Sequence, residues 1–175
     1  FTLDDATNDI QLVGTYTIAS GKMGFTVGNL IRREFTIMDG SQIIWNGKAE
    51  QPILNVTAKY QVTTSLKDLF GTETEQLISG RTTIPVATMI HLSGPLDDPI
   101  IRFGIELPKS EENIENQVKA IINTEEMMMR EVVYLLVFGK FFTPDYVKDA
   151  DSRSSTLNST YALLSSTITG QINNW

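Results

Sequence analysis

Residues 53–62, "ILNVTAKYQV", send Leu54, Val56, Ala58, Tyr60 and Val62 to one side of an extended chain, and Asn55, Thr57, Lys59 and Gln61 to the other. Period two sustained over that length predicts a half-buried strand. A strand with one greasy face must hide that face against something. The pattern returns in "IIRFGIELP", where Ile101, Phe103, Ile105 and Leu107 lie opposite Arg102 and Glu106. Both runs are introduced alike, by "GKAEQP" at 47–52 and "GPLDDP" at 94–99. Pro52 and Pro99 stand where a strand begins, the place where a missing N–H costs least. Gly47 and Gly94 allow a sharp turn before it. The repeated template predicts a β-meander unit that the chain uses twice.

Elsewhere in the first two thirds, "QLVGTYTIAS", "MGFTVGNLI" and "REFTIM" read as short strands broken by glycines. Asp39-Gly40 in "MDGSQ" carries a hairpin signal. "SLKDLFGTETEQLISG" is an acidic, turn-rich excursion before "RTTIPVATMIHLSG" resumes the sheet. After Pro108 the period changes. Ser110 is placed to cap a helix with Glu111 and Glu112 in its first turn, followed by a stripe of Ile114, Val118, Ile121 and Ile122. Thr124 is placed to cap a second helix through "MMMREVVYLLVF", with Gly139 as its stop. "TPDYVKDADSRSS" reads as a polar linker, and 157–175 as a last helix, apolar at Leu157, Leu163, Leu164 and Ile168. The expected fold is mainly β with C-terminal helices: a curved, mostly antiparallel sheet with an apolar interior over 1–108. A helical segment over 109–175 is expected to pack on or beside that sheet, with the linker at about 143–155.

Catalytic constellations are scarce. One histidine and no cysteine exclude a Cys/His pair and a multi-histidine metal site. His91, in "MIHLSG", is expected on a strand, facing solvent or a sheet edge, and no G-x-S-x-G elbow supplies it with a nucleophile. The acidic pairs Asp97-Asp98, Glu111-Glu112 and Glu125-Glu126 fit a turn and two helix starts, and nothing selects two carboxylates for glycosidase work. Glycine-rich phosphate loops are missing. The triplet Met127-Met128-Met129 is weighed as gap-filling core ahead of an adaptable binding surface. No enzyme, cofactor or metal site is expected. A net charge of -7 disfavours nucleic acid and simple attraction to anionic lipid heads.

What remains is the greasy face. A sheet folded over like a shell leaves a trough lined by every second residue. The trough either fills with its own side chains or receives foreign hydrocarbon. Each methylene buried contributes about 0.8 kcal/mol, so an acyl chain would bind well. The self-filled core is the simpler alternative, and the helices after Pro108 are available as a plug.

The ordered series "WNGKAEQPILNVTAKYQVTTSL", "RTTIPVATMIHLSGPLDDPIIRFGIELP", "EEMMMREVVYLLVFGKF" and "STYALLSSTITGQINNW" resembles the C-terminal domain of TamB-type translocation and assembly module proteins, which are akin to AsmA-like bridge proteins. The resemblance runs over about residues 10–175. It implies part of an inner-membrane-anchored, periplasm-spanning protein of a Gram-negative bacterium, the anchor lying outside this fragment. The implied architecture is a β-taco whose apolar groove carries phospholipid between the membranes and which docks an Omp85-type (TamA-like) outer-membrane barrel. The alternative it implies is a scaffold for assembly of outer-membrane or autotransporter proteins, without lipid conduction. No catalytic residue is carried over. The expected groove lining is Leu54, Val56, Ala58, Tyr60, Val62, Ile101, Phe103, Ile105 and Leu107, and the expected ligand is phospholipid or another acyl chain.

Overall fold

The computed structural model describes residues 2–4, 9–27, 31–71 and 83–143. Strands β1 (Thr2–Asp4), β2 (Asp9–Ile18), β3 (Gly21–Val27), β4 (Ile31–Ile37), β5 (Ser41–Lys48) and β6 (Ile53–Thr64) come first. A helical turn α1 (Lys67–Phe70), strands β7 (Ile84–Pro95) and β8 (Ile100–Glu106), and helices α2 (Glu112–Ile121) and α3 (Glu125–Phe138) follow. All ladders are antiparallel in one 8-stranded sheet. The sheet is curved and unclosed, with the helices after it.

Topology reduces to a meander. β2 runs on into β3, and β4 runs on into β5. The register Ile18↔Ser41 gives way to Gly21↔Ile37, so Ala19 and Ser20 face Met38, Asp39 and Gly40. β6 pairs along its length with β7, while its other edge takes β5 at Gln42↔Asn55 and β4 at Ile37↔Ala58. Asp39-Gly40 is therefore not a hairpin. It is a bulge between two successive interior strands, and β4 and β5 do not pair with each other. Gly40 takes φ +83, which glycine reaches at little cost. Local turn chemistry is shared by hairpins and bulges, so the dipeptide alone did not separate them.

Ser41 repairs the ladder at the bulge. Its hydroxyl donates to the Met38 carbonyl at 2.7 Å and accepts from the Thr57 N–H at 3.1 Å, while the Met38 N–H donates to the Thr57 carbonyl at 2.7 Å. The residue is buried, so its loss leaves a backbone donor without water or partner. Ser41→Ala is expected to cost about 1–3 kcal/mol in urea unfolding. A change below about 0.5 kcal/mol would show that the bulge does not depend on this hydroxyl.

Pro52 and Pro99 immediately precede β6 and β8, as expected. Gly47 and Gly94 lie inside β5 and β7, so the corners come after them rather than at them. The two corners meet where the Leu96 N–H donates to the Pro52 carbonyl at 3.0 Å.

The helix boundaries follow local chemistry with one exception. Thr124 caps α3, its hydroxyl accepting from the Met127 N–H at 3.1 Å, and Gly139 ends it in the left-handed conformation. Helix α2 is capped at Glu111 without a side-chain bond, and the expected cap, Ser110, has a buried hydroxyl with no hydrogen-bond partner. Its backbone N–H instead closes a turn onto the Leu107 carbonyl at 3.0 Å, which places the serine one residue too early to cap. The linker expected at about 143–155, apart from Thr143, and the helix expected over 157–175 lie outside the described residues.

Candidate functional site

Paired residues of an antiparallel ladder share a face, so the registers define the inner wall. Ile37, Ala58, Ile90 and Phe103 form one row across it, Val56, Leu92 and Ile101 a second, and Tyr60, Thr88 and Ile105 a third. All nine residues expected to line the groove fall on this side or, for Leu107, immediately beyond β8. Leu54, Val56, Ala58 and Leu107 are buried, and Tyr60, Val62, Ile101, Phe103 and Ile105 are half-buried.

Helix α3 lies against this wall. Val132, Val133 and Leu136 pack with Phe35, Ala58 and Ile90, and Tyr60, Ile101, Phe103 and Ile105 join them. A second cluster brings Leu135 and Phe141 together with Leu66 and Leu69 around α1, Ile114 and Val118 on α2, and Leu107. From Glu131 through Leu136 every residue of α3 is buried, which marks a central helix rather than a surface one. Met128 packs against both clusters, Met127 against the second and Met129 against the first, as gap-fillers. Along this stretch the trough holds the chain's own helix. Leu54 and Val56 are buried outside both clusters.

Toward β2 and β5 the wall continues beyond α3. Tyr16 stands opposite Ile43, which in turn stands opposite Leu54. Tyr16 is 60% exposed, and Ile43 and Trp45 are half-buried, the Trp45 indole N–H donating to the Ala49 carbonyl at 3.0 Å. A cleft of about 420 Å³ also opens between β8 and the α2–α3 corner, lined by Ile101, Phe103, Ile122, Met128 and Met129, with Arg102 and Glu125 among its polar residues. Ile101 and Phe103 are thus reachable from solvent beside the helix.

Two charged groups in this core were not anticipated. Arg33 points inward from β4, donates from Nε to the Leu136 carbonyl at 2.7 Å, and lies 5.7 Å from the centre of the Tyr60 ring. It satisfies a carbonyl that the end of a helix leaves open, where the dipole favours a cation. The parity of Arg33, Phe35 and Ile37 in "REFTIM" was the available signal. Glu131 is 1% exposed and accepts from the Phe142 N–H at 2.8 Å. Burial pushes its carboxyl up to about 7, against the opposing pull of the Phe142 N–H and Arg130, with Asp68 adding to the rise. Burial also raises the Asp68 carboxyl, opposed by Lys140. In sequence, Arg130-Glu131 was visible as the one charged break in an apolar helix.

His91 is exposed, its Nδ1 3.0 Å from the Thr57 hydroxyl. Among the described residues no acidic or histidine cluster could hold a metal, and no helix is long and apolar enough to cross a membrane.

The family model described as TamB C-terminal domain matches residues 1–174. No curated protein and no solved structure matches the chain. That family is non-enzymatic and serves outer-membrane protein assembly in the bacterial envelope. An apolar inner wall on an unclosed sheet, with a family match over nearly its whole length, leads to one conclusion: the chain belongs to the TamB C-terminal domain family.

Proposed function

We propose that this domain forms a stretch of a periplasmic apolar groove in which phospholipid acyl chains follow the inner wall until α3 occupies it. The domain belongs to an inner-membrane-anchored bridge and docks an Omp85-type, TamA-like barrel at the outer membrane. The observation that carries the reading is one wall in two conditions. At Ala58 and Ile90 it is sealed by α3, and at Tyr16, Ile43 and Trp45 it is open. Each methylene laid on the open section contributes about 0.8 kcal/mol, and the headgroup stays at the unclosed edge in water.

A photo-crosslinking residue at position 16 or 43 in cells tests this. Phospholipid adducts are expected at both. Absence at both 16 and 43 would overturn the lipid reading.

The sealed section favours a second reading, a scaffold for outer-membrane or autotransporter clients without lipid conduction. It predicts protein adducts and no lipid at 16 and 43. Exposed strand edges would then serve as templates for strand addition.

A further inference from the structure

We propose that buried Glu131, which holds the Phe142 N–H of the returning chain, is a pH-operated latch that seats α3 in the trough in acid and loosens it in alkali. The proposal rests on the groove reading only for what the loosened trough would admit.

Glu131 lies one turn before Leu135, on a flank of α3 separate from Val132, Val133 and Leu136. Leu135 joins Leu69 of α1, Phe141 of the returning chain, and Ile84 and Val86 of β7. The carboxyl meets the returning chain there, accepting from the Phe142 N–H at 2.8 Å. Phe141 is fully buried, and the Phe142 ring stacks edge-on against Tyr134 at 5.0 Å. One acid therefore ties the plug helix to the segment that holds it down.

Of the charged groups around it, Arg130 favours the ionised carboxyl without forming an ion pair with it, and Asp68 opposes it. From α1 comes Asp68, a like charge, and from the returning segment Lys140, which acts on Asp68. From its own helix comes Arg130, whose guanidinium lies 4.2 Å over the Phe142 ring and whose Nε has no hydrogen-bond partner. Among the described residues no ion pair reaches Glu131. Neutral Glu131 suits this site. Ionised Glu131 is a desolvated charge near a second carboxyl, and water becomes the better surrounding.

The direction follows from proton linkage. The folded carboxyl titrates at about 7 and the unfolded or water-exposed one near 4.5. Between those values the seated state holds a proton that the open state has lost, so seating is strongest in acid and weakens until pH passes about 7. Between pH 5.5 and 8.5 the opening equilibrium should rise roughly 30-fold.

Hydrogen-exchange protection factors of the α3 amides, measured on the lipid-free 175-residue chain at intervals from pH 5.5 to 8.5, test the latch. Protection is expected to fall by about that factor in the wild type and to stay nearly flat in Glu131→Gln. Asp68→Asn, which removes the neighbouring charge, should move the wild-type midpoint to lower pH and provides the test if Glu131→Gln fails to fold. Flat wild-type protection, an undiminished slope in Glu131→Gln, or an unmoved midpoint in Asp68→Asn would overturn the proposal. No lipid enters this assay, so its failure leaves the lipid reading standing, and absent lipid adducts leave the latch standing.

Discussion

Ala58→Arg should leave the chain unfolded or destabilised by at least about 4 kcal/mol, while Tyr16→Arg should stay within about 1 kcal/mol of the wild type. Both positions lie on the same apolar wall, and the contrast comes only from what covers it. Ala58 is 0% exposed, between Ile37 and Ile90 in its row and beneath Val132, Val133 and Leu136. An arginine there must displace α3 or bury an unpaired guanidinium, and overpacking adds a further penalty. Tyr16 already faces water, where a guanidinium keeps its hydration. Urea unfolding followed by circular dichroism measures both. Near-wild-type stability of Ala58→Arg would mean that α3 does not sit on this wall. The contrast also matters for function. Blocking a groove with arginine is informative at Tyr16, where fold and flow can be separated, and uninformative at Ala58.

Phe35→Ala should cost about 3–5 kcal/mol. Phe35 is fully buried on β4, with Phe25 edge-on at 6.0 Å and Tyr60 at 5.7 Å, and α3 closes over it. Removing the ring leaves a cavity between β3, β4, β6 and the helix, where the ladder to β3 at Met23↔Phe35 resists collapse. Ile100→Ala is the matched control. Ile100 is 57% exposed, so its loss should fall within about 0.5 kcal/mol. Chemical denaturation that found equal effects for the two would contradict the placement of the core. A Phe35→Ala variant that is stable but has lost α3 protection would locate the damage at the helix seat.

Some features are local and were legible at once. Alternation at 53–62 and 100–107 is a property of neighbouring residues, and side-chain parity put Leu54 through Val62 on a common face without any knowledge of the partner strands. Thr124 and Gly139 act on backbone groups within a single helical turn, so the ends of α3 were readable too. Gly40 and Ser110 were misread, because in each case a distant or competing hydrogen bond settled the outcome. The Thr57 N–H, from another strand, holds Ser41 and makes a bulge of an apparent hairpin.

The sequence by itself determined that there would be strands with one greasy side, helices after Pro108, and a likeness to the TamB C-terminal domain. Only the tertiary structure decided what the greasy side touches. Burial of apolar surface is non-directional, so an apolar helix and an apolar wall do not specify their mutual placement in one dimension. The seat of α3 is fixed by side chains far apart in the chain, including Arg33 bonding to Leu136 and Glu131 receiving Phe142. Charges buried by that packing acquire their properties from it: Glu131 is an ordinary acid in the sequence and a group titrating near neutrality in the fold, because the low-dielectric surroundings exist only after the chain has closed over it.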